Sequence, residues 1–342
     1  GMEFVGPKKR VWAGYIITVF FAVGVILLVV GAYFIRNWQH LQLAMVALSA
    51  GFVAFYWLVP ESPRWLINKG RYSEAEVILR KAASVNKREL SAKMLCWDDL
   101  EADGPVQEPM WHILKYPRLL LRTLVIYFNW MVCSMAYYGI SLNVADLAGN
   151  IYFNMALYGV VEVAAVLLCL VFLDRLGRRR LHLLCMFVAG VSCTLSPFPS
   201  LYLGSDFQWL DIGLAVLGKA GVSAAFATIW LYSAELFPTV VRNAGVSSSS
   251  LSAKLGGVMA PYIANLSSTK GGDLGAVLPL LIFGLASLAA GTLSLLLPET
   301  SHASLPDSLR DANRFGVTVN TKPEEQPHDE GETDTLQTVT KV

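Results

Sequence analysis

Three charged residues stand well inside apolar stretches of this sequence, where charge has to be either neutralised or used. Lys254 lies at the middle of the run 244–266, Glu162 at the centre of 151–173, and Lys219 in the first part of 211–234. A cation at the midplane of a bilayer costs roughly 2.5 to 3.5 kcal/mol on translocon scales. One carboxylate and two ammonium groups are tolerated there only where they pair or face water. Two readings stand for Lys254: a helix-packing lysine paired with a buried carboxylate, or a cation lining a solute pathway. The second is favoured because intramembrane charge is rare unless used. For Glu162 with a lysine, the choice is between a structural ion pair and a site offering both signs. Such a site suits a zwitterion, or an organic ion whose charge takes over one partner.

Helical spacing supplies the neighbours of these charges. A helix through 244–266 puts Ser247, Ser250, Lys254, Gly257 and Pro261 on one face. Met155, Tyr158, Gly159, Ala165 and Cys169 share the face of Glu162, and Ser223, Phe226 and Trp230 share that of Lys219. Tyr127, Trp130, Ser134 and Tyr137 recur at steps of three and four. An aromatic stripe packs helices, and its ring faces also attract quaternary ammonium groups; both uses remain open.

The elements that must carry these residues follow from hydropathy. Of 342 residues, 54% are hydrophobic and 15% charged, with a mean hydropathy of +0.49, whereas soluble domains carry about 25% charged residues. Eight apolar runs, at about 12–35, 39–59, 119–140, 151–173, 181–201, 211–234, 244–266 and 276–297, are long enough to cross a hydrocarbon core of about 30 Å. The expected fold is an all-α membrane protein with eight transmembrane helices. Lys8, Lys9, Arg10, ten basic residues in 60–118, and Arg175, Arg178, Arg179 and Arg180 in the turn 174–180 all fall on one side, against Arg36 and Lys270 on the other. The positive-inside rule puts both chain ends and the 60–118 segment in the cytoplasm.

The 60–118 segment is the sizeable soluble insertion. Ser73 and Glu76 read as a capping box ahead of a helix whose Val77, Ile78 and Ala82 can lie against the membrane side. Residues 95–110 read as an acidic loop, and 324–342 as a disordered tail. The chain starts at Gly1, with no charged leader and cleavage site ahead of the first run, which reads as a piece of a longer chain without a signal peptide.

Other functions find little support. The net charge of +1 gives no footing for a nucleic-acid partner. No G-x-S-x-G, P-loop or paired histidines at metal spacing occur, so neither enzyme chemistry nor a cofactor or metal is implied. His182, at the start of a run, reads as a snorkelling end residue. Cys96, Cys133, Cys169, Cys185 and Cys193 lack C-x-x-C spacing and read as small core hydrophobes. At the turns, Asp174 and Glu235 can accept hydrogen bonds from Arg175, Arg178, Arg179 or Arg242 of a neighbouring turn, with Gly177 permitting the tight connection. Such links would hold one access state and break in the other; a plain topogenic role for the arginines is equally economical.

Four strings carry a family resemblance: Pro60-Glu61-Ser62-Pro63-Arg64-Trp65-Leu66, the 174–180 turn, Glu235-Leu236-Phe237-Pro238-Thr239-Val240-Val241-Arg242-Asn243, and Leu297-Pro298-Glu299-Thr300. In order and spacing they resemble the organic cation, carnitine and organic anion transporters of the major facilitator superfamily. The resemblance implies a partial twelve-span fold: spans five and six in 1–59, an inter-half loop in 60–118, the six-span second half in 119–298, and a cytoplasmic tail in 299–342. It also implies that Phe21, Trp130, Tyr137, Glu162, Lys219, Phe226 and Lys254 line a solute pathway. Cation-selective members carry aspartate where this chain has Lys254, and carnitine-type and anion-type members carry arginine. Lysine there keeps the charge but loses the bidentate grip on a carboxylate.

The expected function is alternating-access transport of organic cations or carnitine-like zwitterions across the plasma membrane, as part of a longer carrier, with the bilayer and a small organic ion as partners and room for a coupling ion. The alternatives are an organic anion exchanger and a non-transporting membrane scaffold or receptor.

Overall fold

The computed structural model describes residues 10–54, 60, 61, 63–68, 70–87, 109–144, 147, 149–204, 207–238, 240–266, 272–301, 306 and 308–315. Most of the acidic loop at 95–110, the tail at 324–342, Cys96 and Lys270 lie outside them. Among the described residues all regular structure is helical. The chain divides into two compact units, one of residues 15–34 and 107–317, the other of the remaining residues.

Helix α1 covers Arg10–Phe34. Helix α2, Trp38–Ala50, is capped by the Asn37 side chain, which accepts from the Gln39 N–H at 2.9 Å. Helices α3 (Pro63–Asn68) and α4 (Tyr72–Val85) pack on each other, with Leu66, Ala75 and Ala83 buried. The expected capping box is not formed: Ser73 lies inside α4, whose N-cap is Arg71 with no side-chain cap bond. Arg71 instead pairs with Glu74 at 2.7 Å, and Val77 is exposed.

The larger unit holds α5 (Pro117–Asn143), α6 (Ile151–Leu176), α7 (Arg178–Leu195), the short α8 (Phe198–Tyr202), α9 (Gln208–Leu236), α10 (Arg242–Ala264), α11 (Gly272–Leu293) and α12 (Leu309–Arg314). Pro117 opens α5, where its missing N–H costs nothing. Gly177 ends α6 and starts α7 at a φ of 80°, which glycine adopts without strain. Helix α5 packs on α9, α10 and α11, while α7 packs on α9 and α11. Helix α12 closes one end: Arg122 of α5 donates to the carbonyls of Ala312 at 2.8 Å and Phe315 at 2.7 Å.

Five helical segments are long and apolar enough to cross a membrane: Gly14–Phe34, Pro117–Asn143, Ile151–Leu176, Gln208–Leu236 and Val277–Leu296. The runs expected at 39–59, 181–201 and 244–266 do not reach that standard among the described residues. Helix α2 has 13 residues, α7 opens on three arginines, and α10 carries a row of serines with Lys254. Helices α7 and α10 are held by packing rather than by their own hydropathy.

That packing relies on small residues, because lipid supplies little hydrophobic drive for helices to associate. Helix α10 turns Gly245, Ser249, Ala253, Gly256 and Ala260 inward. A Cβ on Gly256 would meet the carbonyl oxygen of Met131 in α5. Gly190 of α7 and Gly284 of α11 meet in the same manner, each with the other's carbonyl oxygen 2.8 to 2.9 Å from an added Cβ.

Replacing Gly256 by leucine is therefore expected to lower the thermal unfolding midpoint of the purified chain in detergent, since overpacking costs about 1–3 kcal/mol or more. Gly24→Ala in α1, where nothing lies within 4 Å of an added Cβ, serves as control. It should leave the midpoint unchanged or raise it, by up to ~1 kcal/mol of stability. Equal midpoints for Gly256→Leu and the parent would refute the α5–α10 contact.

Candidate functional site

Glu162 and Lys219 meet inside the larger unit, both with 3% of their surface exposed. Helix α6 delivers Glu162 and helix α9 delivers Lys219, and the ammonium stands 3.8 Å from the carboxylate. That is an ion pair without a direct hydrogen bond. Tyr137 of α5 completes it: its hydroxyl donates to the Glu162 carboxylate, 3.1 Å from each oxygen, and its ring centre lies 3.2 Å from Lys219 Nζ. One tyrosine thus presents its π face to the cation and its O–H to the anion. Lys219 donates to Ser141 Oγ at 2.8 Å, and the Ser141 hydroxyl donates in turn to the Tyr137 carbonyl at 2.7 Å.

An aromatic wall extends from this pair. The ring of Phe226 stacks on Tyr137 at 6.1 Å and meets Trp130 edge-on at 5.9 Å. Trp130 also packs against Trp230 at 4.6 Å and donates from Nε1 to Ser233 Oγ at 2.8 Å. Five of the residues singled out from the sequence, Trp130, Tyr137, Glu162, Lys219 and Phe226, therefore form one cluster. Trp230, which the spacing put on the face of Lys219, joins it, as do Ser141 and Ser233, which the sequence reading did not single out. Ser141 was within reach of the sequence, one further step of four beyond Tyr137 on the same stripe.

Two residues stand elsewhere. Lys254 is exposed and makes no ion pair among the described residues, and Phe21 of α1 is 57% exposed. Ser247 and Pro261 are exposed with Lys254, while Ser250 and Gly257 of the same face are half-buried, with Gly257 against Ser134 and Tyr138 of α5.

A second constellation sits at the end of the bundle marked by Gly177. Arg178 pairs with Glu235 at 3.1 Å and with Asp174 at 3.4 Å, and Thr300 donates to Glu235 at 2.6 Å. Glu299 accepts from the backbone N–H groups of Arg178, Arg179, Thr300 and Ser301 at 2.8 to 3.2 Å, which caps α7. The expected carboxylate–arginine link between neighbouring turns is thus made by Glu235 and Arg178. Arg242 donates to the Phe237 carbonyl at 3.2 Å. Glu299 is a member that the sequence did not reveal, because the α7 N–H groups it caps lie about 120 residues away.

His182 corrects another expectation. It does not snorkel: it is fully buried, with Nε2 2.9 Å from Asn129 Oδ1. Cys133, Cys169, Cys185 and Cys193 are buried and free, as core hydrophobes should be.

The fold is that of the major facilitator superfamily. The structure of the proton:xylose symporter XylE bound to 6-bromo-6-deoxy-D-glucose matches 89% of this chain and 67% of that one, with a TM-score of 0.65 at 16% identity. The family model described as sugar (and other) transporter matches residues 7–308, and the chain belongs to that family. Among its relatives are the organic cation transporter protein of Drosophila melanogaster, 40% identical over 92% of this chain and 58% of that protein, and solute carrier family 22 member 3 of Rattus norvegicus, 36% identical over 92% and 55%. This chain thus spans little more than half the length of the curated relatives it matches.

Removing one partner of a buried pair leaves an uncompensated charge, which costs about 3–5 kcal/mol. Lys219→Met should therefore destabilise the purified chain strongly, and Lys219→Met with Glu162→Gln should recover most of the loss. Additive losses in thermal unfolding would contradict the pairing.

Proposed function

We propose that this chain is part of a carrier that moves organic cations or zwitterions across the plasma membrane by alternating access. The observation that supports this most is the buried carboxylate of Glu162, held by one tyrosine hydroxyl and a lysine at 3.8 Å, beside a wall of aromatic rings. An ammonium solute competes with Lys219 for that carboxylate and finds ring faces at the same place. The printed names of the relatives, organic cation transporters among them, point to the same solute class.

In this reading all eight apolar runs span the bilayer, both chain ends lie in the cytoplasm, and the Arg178–Glu235–Asp174 cluster closes the cytoplasmic end in one access state. Arg175, Arg179 and Arg242 complete the basic side of that closure. Lys254 and Phe21 line the pathway on the part that the larger unit leaves exposed, with Lys254 taking the carboxylate of a zwitterion. An organic anion exchanger is the second reading, favoured by Lys219 and Lys254 against Glu162 among the charges well inside the spans.

Uptake by the full-length carrier, normalised to surface protein, tests the proposal. Lys254→Asp should favour simple organic cations over carnitine-like zwitterions, and Lys254→Ala should depress zwitterion uptake about tenfold, the worth of one charge-assisted hydrogen bond. Unchanged uptake and selectivity in both would refute the role of Lys254. Competition by dicarboxylates but not by carnitine-like solutes would select the exchanger.

A further inference from the structure

The ammonium of Lys219 is held by groups on two helices that pull it in different directions. Tyr137 and Ser141 stand one turn apart on α5, the first with its ring centre 3.2 Å from Nζ, the second accepting a hydrogen bond at 2.8 Å. Glu162 on α6 lies 3.8 Å away, roughly 1 Å beyond the reach of a direct ammonium–carboxylate hydrogen bond. The two charges attract without closing, and the groups that draw the ammonium aside both belong to α5.

Ser141 is set as an acceptor. A hydroxyl carries one proton and two lone pairs, and here the proton goes to the Tyr137 carbonyl at 2.7 Å, so only lone pairs are left for Lys219. That bond runs back one turn along α5 and fixes where the oxygen points. Tyr137 serves both ions, ring to the ammonium and O–H to the carboxylate. Among the described residues, Ser141 is the member that bonds the ammonium without also bonding Glu162.

A solute cation gains the Glu162 carboxylate by displacing Lys219, so the strength of the internal pair subtracts from the affinity for the solute. We propose that Ser141 is a positioning residue that sets the affinity for monovalent organic ammonium ions. By tethering Lys219 to α5 it weakens the Lys219–Glu162 pair and keeps the carboxylate open to exchange. This rests on the reading that Glu162 serves an organic cation. Without the serine oxygen, the acceptor that remains for the ammonium is the Glu162 carboxylate, and the flexible lysine stem closes on it.

The test has two arms. In the full-length carrier, Ser141→Ala should raise the KM for tetraethylammonium about tenfold, the worth of one charge-assisted hydrogen bond gained by Lys219. Maximal uptake per surface carrier should stay near the parental value, and Ser141→Thr, which restores the oxygen, should restore KM. In the purified chain, thermal unfolding reads the tether with no solute present. With Glu162 in place, Ser141→Ala should leave the midpoint at or above the parental value, because the ammonium finds the carboxylate. In a Glu162→Met chain the same change should lower the midpoint, because nothing replaces the lost bond; if that chain does not fold, Glu162→Asp, with its carboxylate drawn back by one methylene, takes its place. Equal effects of Ser141→Ala in both backgrounds, or a raised KM that Ser141→Thr does not restore, would overturn the tether. The expected midpoints together with a parental KM would overturn the affinity role by way of the function beneath it, since Glu162 would then have no solute cation to serve.

Discussion

The structure depends on the pairing of Glu162 with Lys219 through Tyr137. Neither ion is tolerable alone at 3% exposure in a bundle surrounded by hydrocarbon. Together they are neutral, and the tyrosine satisfies both at once, ring to cation and hydroxyl to anion. Because the three side chains come from α5, α6 and α9, the requirement for pairing also sets how those helices rotate about their axes. The ammonium keeps a 3.8 Å separation from the carboxylate and spends its hydrogen bond on Ser141, so the carboxylate is compensated without being saturated. On the proposed function, this carboxylate exchanges Lys219 for the cation of a solute.

Around this centre the bundle uses two other devices. Small residues let backbones approach where lipid gives no hydrophobic reward, as at Gly256 on α5 and Gly190 on α11. At one end, side-chain carboxylates tie helix termini together: Glu299 caps α7, and Glu235 holds Arg178. The Arg178–Glu235 pair is itself largely buried, so both partners depend on each other and on the hydrogen bond from Thr300. The packed glycines fix the helix pairs at their closest approach, while the carboxylates fix the helix ends.

Much of this was legible in the sequence because hydropathy and helical period are local properties. The long runs emerged as α1, α5, α6, α9 and α11, and spacing brought Tyr137 and Trp130 onto one stripe. Period alone, however, shows that residues share a face without showing where the face points. Ser247, Ser250, Lys254, Gly257 and Pro261 do form a stripe, but α10 buries the glycine and alanine stripe containing Gly245, Ala253 and Gly256 instead. In lipid, the side allowing the closest backbone approach goes inward, and polarity does not decide it. Contacts that span the chain, such as Glu299 on α7 or Asn129 on His182, leave no local mark at all. The capping box on α4 failed for a smaller reason: Arg71 and Glu74 pair two residues earlier, and the helix starts after Arg71.

The central claim is that the Glu162 carboxylate serves a solute and is not only the partner of Lys219. Exchanging the two charges, Glu162→Lys with Lys219→Glu, separates these roles in the full-length carrier. The exchanged protein should reach the surface and unfold near the parental temperature, since the pair is preserved, yet lose most organic cation uptake because the carboxylate has moved from α6 to α9. Restored uptake alongside restored stability would contradict the account and leave Glu162 a purely structural ion.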